Sequence, residues 1–153
     1  MCNDKPPGTC SYRCYTPTMC DAAVVKVLRE FFSSHPEGVV CAYLFGSLAR
    51  GEARTDSDAD IAVLYQATPP PTLDGLGLEL SGDLERHLDR PVDLVVLNRA
   101  PVDLIHRILR DGILVYDGDH SARIRFEVKV RGEYFDLLPY LHQYRRAVRE
   151  PQP

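Results

Sequence analysis

At 153 residues, with 44% hydrophobic and 26% charged side chains, the chain has the size and composition of one globular domain with one core. Its formal net charge of −4 argues against a nonspecific binder of DNA or RNA, which would carry a basic footprint. No apolar run approaches the ~20 residues that span a bilayer, and the N-terminus lacks the basic-then-apolar layout of a secretory signal, so the expected compartment is the cytoplasm.

Cys2, Cys10, Cys14 and Cys20 crowd the first twenty residues, with Pro6, Pro7, Gly8 and Pro17 among them. No Cys-x-x-Cys pair is present, so the stretch reads as a flexible extension of reduced thiols rather than a zinc module. The expected organisation is this extension over 1–20 and one folded domain over 21–149. Asp21 can cap a helix running to about Ser34, whose Val24, Val27, Leu28, Phe31 and Phe32 form an apolar stripe. His35-Pro36-Glu37-Gly38 ends it. Residues 39 to 45 are apolar at nearly every position, as expected of a strand covered on both faces, and Cys41 within them reads as a small core hydrophobe. A short helix near Ser47 carries Ala49 and Arg50, and a second strand covers about 60 to 65. Pro69-Pro70-Pro71 makes a stiff connector, expected at the rim of the site. Leu76, Leu80, Leu84 and Leu88 mark a helix over about 72 to 88, weakened by Gly75, Gly77 and Gly82. A third strand over 91 to 97, a helix over 102 to 110 and a short strand over 113 to 116 follow. In the last forty residues Ile124, Phe126, Val128 and Val130 alternate with charged residues, which reads literally as an edge strand. Phe135, Leu138, Leu141 and Tyr144 have a helical period, and Gly132 and Pro139 are potential bends.

The chemistry concentrates between the first two strands. The first apolar run stops at Gly46-Ser47, and the second starts directly after Asp58-Ala59-Asp60. A strand ending in Gly-Ser leaves backbone N–H groups at its tip, an arrangement that favours phosphate. Asp58 and Asp60, two residues apart at the mouth of a strand, point to one side. Two hard oxygen donors there suit Mg²⁺ whose shell substrate phosphates complete. Asp56 lies among the turn-forming Thr55 and Ser57 and reads as a loop residue. The plain alternative is three solvated acids before a strand. Asp93 is the lone acid in the third strand. It reads either as an edge residue with its carboxylate in water, or as a carboxylate that is paired or metal-bound.

Gly46-Ser47, ten residues, then Asp58-x-Asp60 resembles the signature of the DNA polymerase β-type nucleotidyltransferase superfamily. The surrounding Gly46-Ser47-Leu48-Ala49-Arg50-Gly51 and Ser57-Asp58-Ala59-Asp60-Ile61-Ala62-Val63 look like its minimal branch. Over roughly residues 21 to 149 the chain resembles the MntA-type antitoxins, adenylyltransferases paired with HEPN-family toxins. The resemblance implies a small α/β (α+β) domain with a mixed sheet of about four strands flanked by helices, and one long C-terminal helix. It also implies that Asp93 completes a catalytic metal site with Asp58 and Asp60, receiving the proton of the attacking hydroxyl. ATP would lie with its phosphates over Gly46 and Ser47, and two Mg²⁺ ions would bridge the acids and phosphates. Arg50 is a candidate phosphate contact or a solvent-facing helix charge; Asn98 and Arg99 are candidates to line the nucleotide site.

A chain this short has no room for a second domain to enclose a small acceptor, so an acceptor bringing its own surface fits best. The resemblance then implies a tyrosine of a cognate HEPN toxin, an all-helical RNase silenced by receiving AMP. The chain is not itself that toxin: His142-Gln143-Tyr144 matches part of the toxin motif, but Leu137 stands where its arginine belongs. The tail arginines Arg145, Arg146 and Arg149 read as a solvated helix end or a partner contact. Two rivals stay open: a transferase for a small alcohol such as an antibiotic, with dimerisation supplying the pocket, and an antitoxin that neutralises by contact alone.

Overall fold

Two unlike connections set the sheet. In the computed structural model, which describes residues 19–34, 38–54, 57–70, 72 and 77–149, strand β1 (Val39–Phe45) turns through the short helix α2 (Gly46–Arg50) into strand β2 (Ala59–Tyr65). This tight return makes β1 and β2 antiparallel, with Phe45 opposite Asp60. From β2 the chain crosses through helix α3 (Leu78–Leu88) to strand β3 (Val92–Val96), so β3 lies parallel to β2. Helix α4 (Val102–Asp111) then leads to strand β4 (Ile113–Asp117), antiparallel to the other side of β1. The order is β3-β2-β1-β4, a mixed four-stranded sheet, with helix α1 (Met19–Ser34) before it and helix α5 (His120–Arg149) after it. This is the α/β arrangement expected.

Both faces of the sheet are covered, which explains the near-continuous apolar run of β1. On one face Leu28, Phe31 and Phe32 of α1 and Leu84 of α3 pack on Ala42, Leu44, Ile61 and Val63. On the other, Ile105 and Ile108 of α4 and Val130 of α5 pack on Cys41, Tyr43, Ala62 and Leu64. The Cys41 thiol is buried, and burial pushes its pKa up to about 12, so it behaves as a core hydrophobe. A bulge interrupts β1: Val39 pairs with Tyr65 but Cys41 with Leu64, so one extra residue is taken up between them.

Several boundaries differ from expectation. α1 begins at Met19, which moves the last two residues of the expected extension into the helix; residues 1–18 and 35–37 lie outside the described set. α3 starts at Leu78, not near Thr72, because Gly77 takes a left-handed φ of 80° and interrupts the helix where glycine was expected to weaken it. Leu76 is outside the described residues. The alternating stretch 123–131 is helix, as the resemblance implied, part of a single 30-residue α5 that runs through Gly132 and Pro139. Every second residue apolar is also two interleaved stripes of spacing four. Phe126 and Val130 are one stripe, packed inward; Ile124 and Val128 are the other, facing out at 40% and 63% exposure. The tail arginines lie in α5, with side chains outside the described set.

α5 is fastened at its start by a polar network. Arg123 donates from Nε to Asp117 Oδ1 and from Nη2 to Asp117 Oδ2, at 3.0 Å each, and from Nη1 to Glu127 Oε1. The Tyr43 hydroxyl donates to the same Glu127 oxygen at 2.9 Å. Strands β1 and β4 and helix α5 are thus tied at one node.

Candidate active site

The Gly46-Ser47 turn exists because β1 must leave the sheet abruptly beside the start of β2. Gly46 has a φ of 72°, which L side chains rarely adopt. A Cβ at that position would lie 1.9 Å from Asp60 Oδ2. Only a residue without a side chain allows the turn to close down on that carboxylate. No side chain caps the start of α2, so the first backbone amides are offered outward from the turn.

Asp60 and Asp93 are register partners on the parallel strands β2 and β3. Side chains of parallel partners leave the sheet on the same side, here the one covered by α4 and α5. Asp58 stands two residues before Asp60 at the strand mouth. Asp58 and Asp93 are exposed and Asp60 is half-buried. The carboxyl of Asp60 is held above its usual range, first by burial and then by the negative charges of Asp93 and Asp58, against the pull of Arg50. The three acids and the Gly46 turn therefore meet at one end of the sheet. Asp93 is exposed on an edge strand, as the plainer reading had it, and stands in register with Asp60.

The donor set suits a hard divalent cation: carboxylate oxygens only, mutually repelling, open to solvent on the side where phosphates would enter. As they stand, no three such ligating side chains among the described residues are drawn together tightly enough to enclose an ion. The acids are an open cluster rather than a closed cage.

Arg50 ends α2. Its Nε donates to Glu52 Oε2 at 2.9 Å, and its charge is felt by Asp60 and by Asp111 at the end of α4. Glu52 and Asp111 were not singled out in the sequence. The two-residue step from Arg50 to Glu52 is the one signal that pointed to the former.

Asn98 and Arg99 are not at this end. Because β2 and β3 are parallel, the end of β3 lies opposite its Asp93 end. Asn98 there brackets the backbone of Tyr65, accepting from its N–H and donating to its carbonyl at 2.9 Å each. Arg99 donates to the Pro69 carbonyl, which fixes Pro69 at the far end of the sheet and not at the rim of the acid cluster; Pro71 lies outside the described residues.

The family described as polymerase beta, nucleotidyltransferase, matches residues 26–121. The protein adenylyltransferase MntA of Shewanella oneidensis is 36% identical over 115 residues, 74% of this chain and 76% of its own length. That of Thermococcus cleftensis is 37% identical over 90 residues, 59% of this chain and 83% of its own. Among solved structures, a toxin–antitoxin with AMP-PNP superposes with a TM-score of 0.69 at 26% identity, covering 82% of this chain and 98% of the other. Tri-AMPylated Shewanella oneidensis HEPN toxin in complex with MNT antitoxin gives 0.61 at 26% identity, covering 86% and 98%. The chain belongs to the polymerase beta nucleotidyltransferase family and, within it, to the MntA protein adenylyltransferases.

Proposed function

We propose that the chain is an antitoxin that transfers AMP from ATP to a tyrosine hydroxyl of a cognate HEPN-family toxin in the cytoplasm, in a Mg²⁺-dependent reaction. The observation that carries this reading is the register pairing of Asp60 with Asp93 beside a glycine turn that only a bare α-carbon permits.

The amides of the Gly46-Ser47 turn and the Ser47 side chain hold the β- and γ-phosphates of ATP. Arg50, released from Glu52, approaches the same phosphates. Asp93 orients the acceptor hydroxyl and takes its proton as oxygen attacks the α-phosphorus in line. The bond from the α-phosphorus to the bridging oxygen breaks, and pyrophosphate leaves over the Gly46-Ser47 turn. Asp58, Asp60 and Asp93 would hold Mg²⁺, which when bound supplies Lewis acidity for the nucleophile and neutralises charge on the leaving group. Similarity to the MntA adenylyltransferases and to their complexes with a HEPN toxin supports this acceptor.

The test is incubation of the chain with ATP labelled at the α-phosphate, Mg²⁺ and the product of the adjacent gene. The expected result is label on a tyrosine of that protein, lost with Asp60→Asn. Tight binding without label would leave contact alone as the means of neutralisation. Label on a small alcohol and not on the protein would overturn the acceptor.

A further inference from the structure

α5 carries a second apolar line that the fold does not use. Val130, Phe126 and Ala122 turn inward, while Ile124, Val128 and Phe135, at steps of four and seven, lie along the opposite side at 40%, 63% and 63% exposure. Single exposed hydrophobics need no explanation, but three in file along one helix face are a patch of the kind that marks an interface. Arg131 sits three residues after Val128 and four before Phe135, within the line, and its side chain is half exposed. Arg125 flanks the line three residues before Val128. Glu127 turns toward Tyr43 and Arg123, and its second oxygen lies 3.6 Å from Arg131 Nη2.

The direction of α5 adds a second observation. Asp117 pairs with Cys41, far from the acids, and Ile113 pairs with Leu44, next to the Gly46 turn. Since α5 begins just beyond Asp117, it runs back along the sheet toward the acid end. There Arg131 and Phe135 join His106, Leu109 and Arg110 of α4 in lining a cleft of about 270 Å³. His106 is stacked on Tyr134 at 3.7 Å, which closes the floor between the two helices. The line spans about 16 Å at the helical rise of 1.5 Å per residue, three turns of a helix laid against it.

We propose that this face of α5 is where the partner protein docks, through an amphipathic helix whose apolar stripe is edged with Asp or Glu. This deepens the transfer reading above and rests on it for the partner's role. The arginines select the occupant. A second copy of the chain would press Arg125 and Arg131 against their own kind, whereas an acidic-edged helix pairs Arg125, shares Arg131 with Glu127 and covers Val128 and Phe135. A helix so docked is led along α5 to the cleft it shares with α4, in the direction of the acid end of the sheet, which carries the partner's hydroxyl toward the ATP.

The test uses the full chain and the product of the adjacent gene, in calorimetric titration without ATP. Val128→Asp and Phe135→Asp, both at exposed positions, should each weaken binding about tenfold or more. Both should leave ATP affinity and the melting temperature of the chain alone unchanged. Arg131→Glu should weaken binding and flatten its dependence on salt. Undiminished affinity in the two Asp variants would overturn the proposal. So would tighter binding by Arg131→Glu, or a dimer of the chain alone that Val128→Asp dissolves. If the wild-type chain binds through this face and yet no AMP is transferred, the transfer reading fails and the docking face stands.

Discussion

The two ends of the sheet treat their carboxylates in opposite ways. At one end Asp58, Asp60 and Asp93 stand together with Arg50 as the nearby cation, itself engaged by Glu52, and the carboxyl of Asp60 is pushed up by burial and by its neighbours. Toward the other, Asp117 and Glu127 are gripped by Arg123, and the Asp117 carboxyl is pulled below its usual range, chiefly by the hydrogen bonds of that guanidinium. The first cluster repels itself and costs the fold free energy. The second completes itself and holds α5 in place. A group of acids is thus read by what neutralises it, not by how many there are.

The comparison breaks most visibly at Arg123, whose side chain is 11% exposed. Arg123→Ala leaves Asp117 with His120 and Glu127 with Tyr43 and the more distant Arg131, and should cost about 1.5–3 kcal/mol in denaturant unfolding. A loss no larger than that of an exposed ion pair would show that the node is ornamental. Asp60→Asn should act in the reverse sense on stability while lowering AMP transfer by about 10²–10³-fold. The raised pKa means that ionised Asp60 disfavours the fold, so the variant should gain stability at neutral pH. That gain should vanish below the ordinary carboxylate value of 3.8, where both side chains are neutral. Asp117→Asn sharpens the contrast: its depressed pKa contributes stability above 3.8 that fades as pH falls through the lowered value. Melting curves of this variant and the wild type should therefore be apart, by about 1–3 kcal/mol, at neutral pH and converge in acid.

Gly46→Ala should cost roughly 1–2 kcal/mol for its left-handed backbone. It should also reduce transfer by displacing Asp60, whereas Gly82→Ala, with nothing within 4 Å, should do neither. Tyr43→Phe, which removes one donor from Glu127 but leaves Arg123, should cost about 0.5–1.5 kcal/mol with transfer intact.

Much of the acid end was legible because its logic is local. A strand that stops at Gly-Ser and another that starts after Asp-x-Asp state their own geometry, whereas Asp93 stood out as a lone acid but was joined to them only by the family resemblance. Asn98, Arg99 and Pro69 were misplaced for a reason local sequence does not carry. Adjacency to a strand does not say which end of the sheet that strand's end occupies, and the parallel crossover through α3 put them away from Asp60. The alternation in α5 left strand and helix open by itself, because a period of two is compatible with two stripes of spacing four; the resemblance implied the long helix, and the inward packing of Phe126 and Val130 bears it out.

The surplus residue near Val40 works as a shim. Counted from the Val39–Tyr65 pair, β1 consumes one more residue than β2 before Phe45 arrives opposite Asp60. Removing Val40 would let Cys41 follow Val39 in regular alternation and would leave Phe45 opposite Asp60, because Val39 and Cys41 already face the consecutive Tyr65 and Leu64. What the deletion takes away is the Val40 carbonyl, which accepts from the amides of Gly118 and Asp119 at 2.8 and 3.1 Å just before α5. The inserted residue therefore serves the seat of the long helix and not the glycine turn, and a chain without it should keep the turn against Asp60 while holding the start of α5 less firmly.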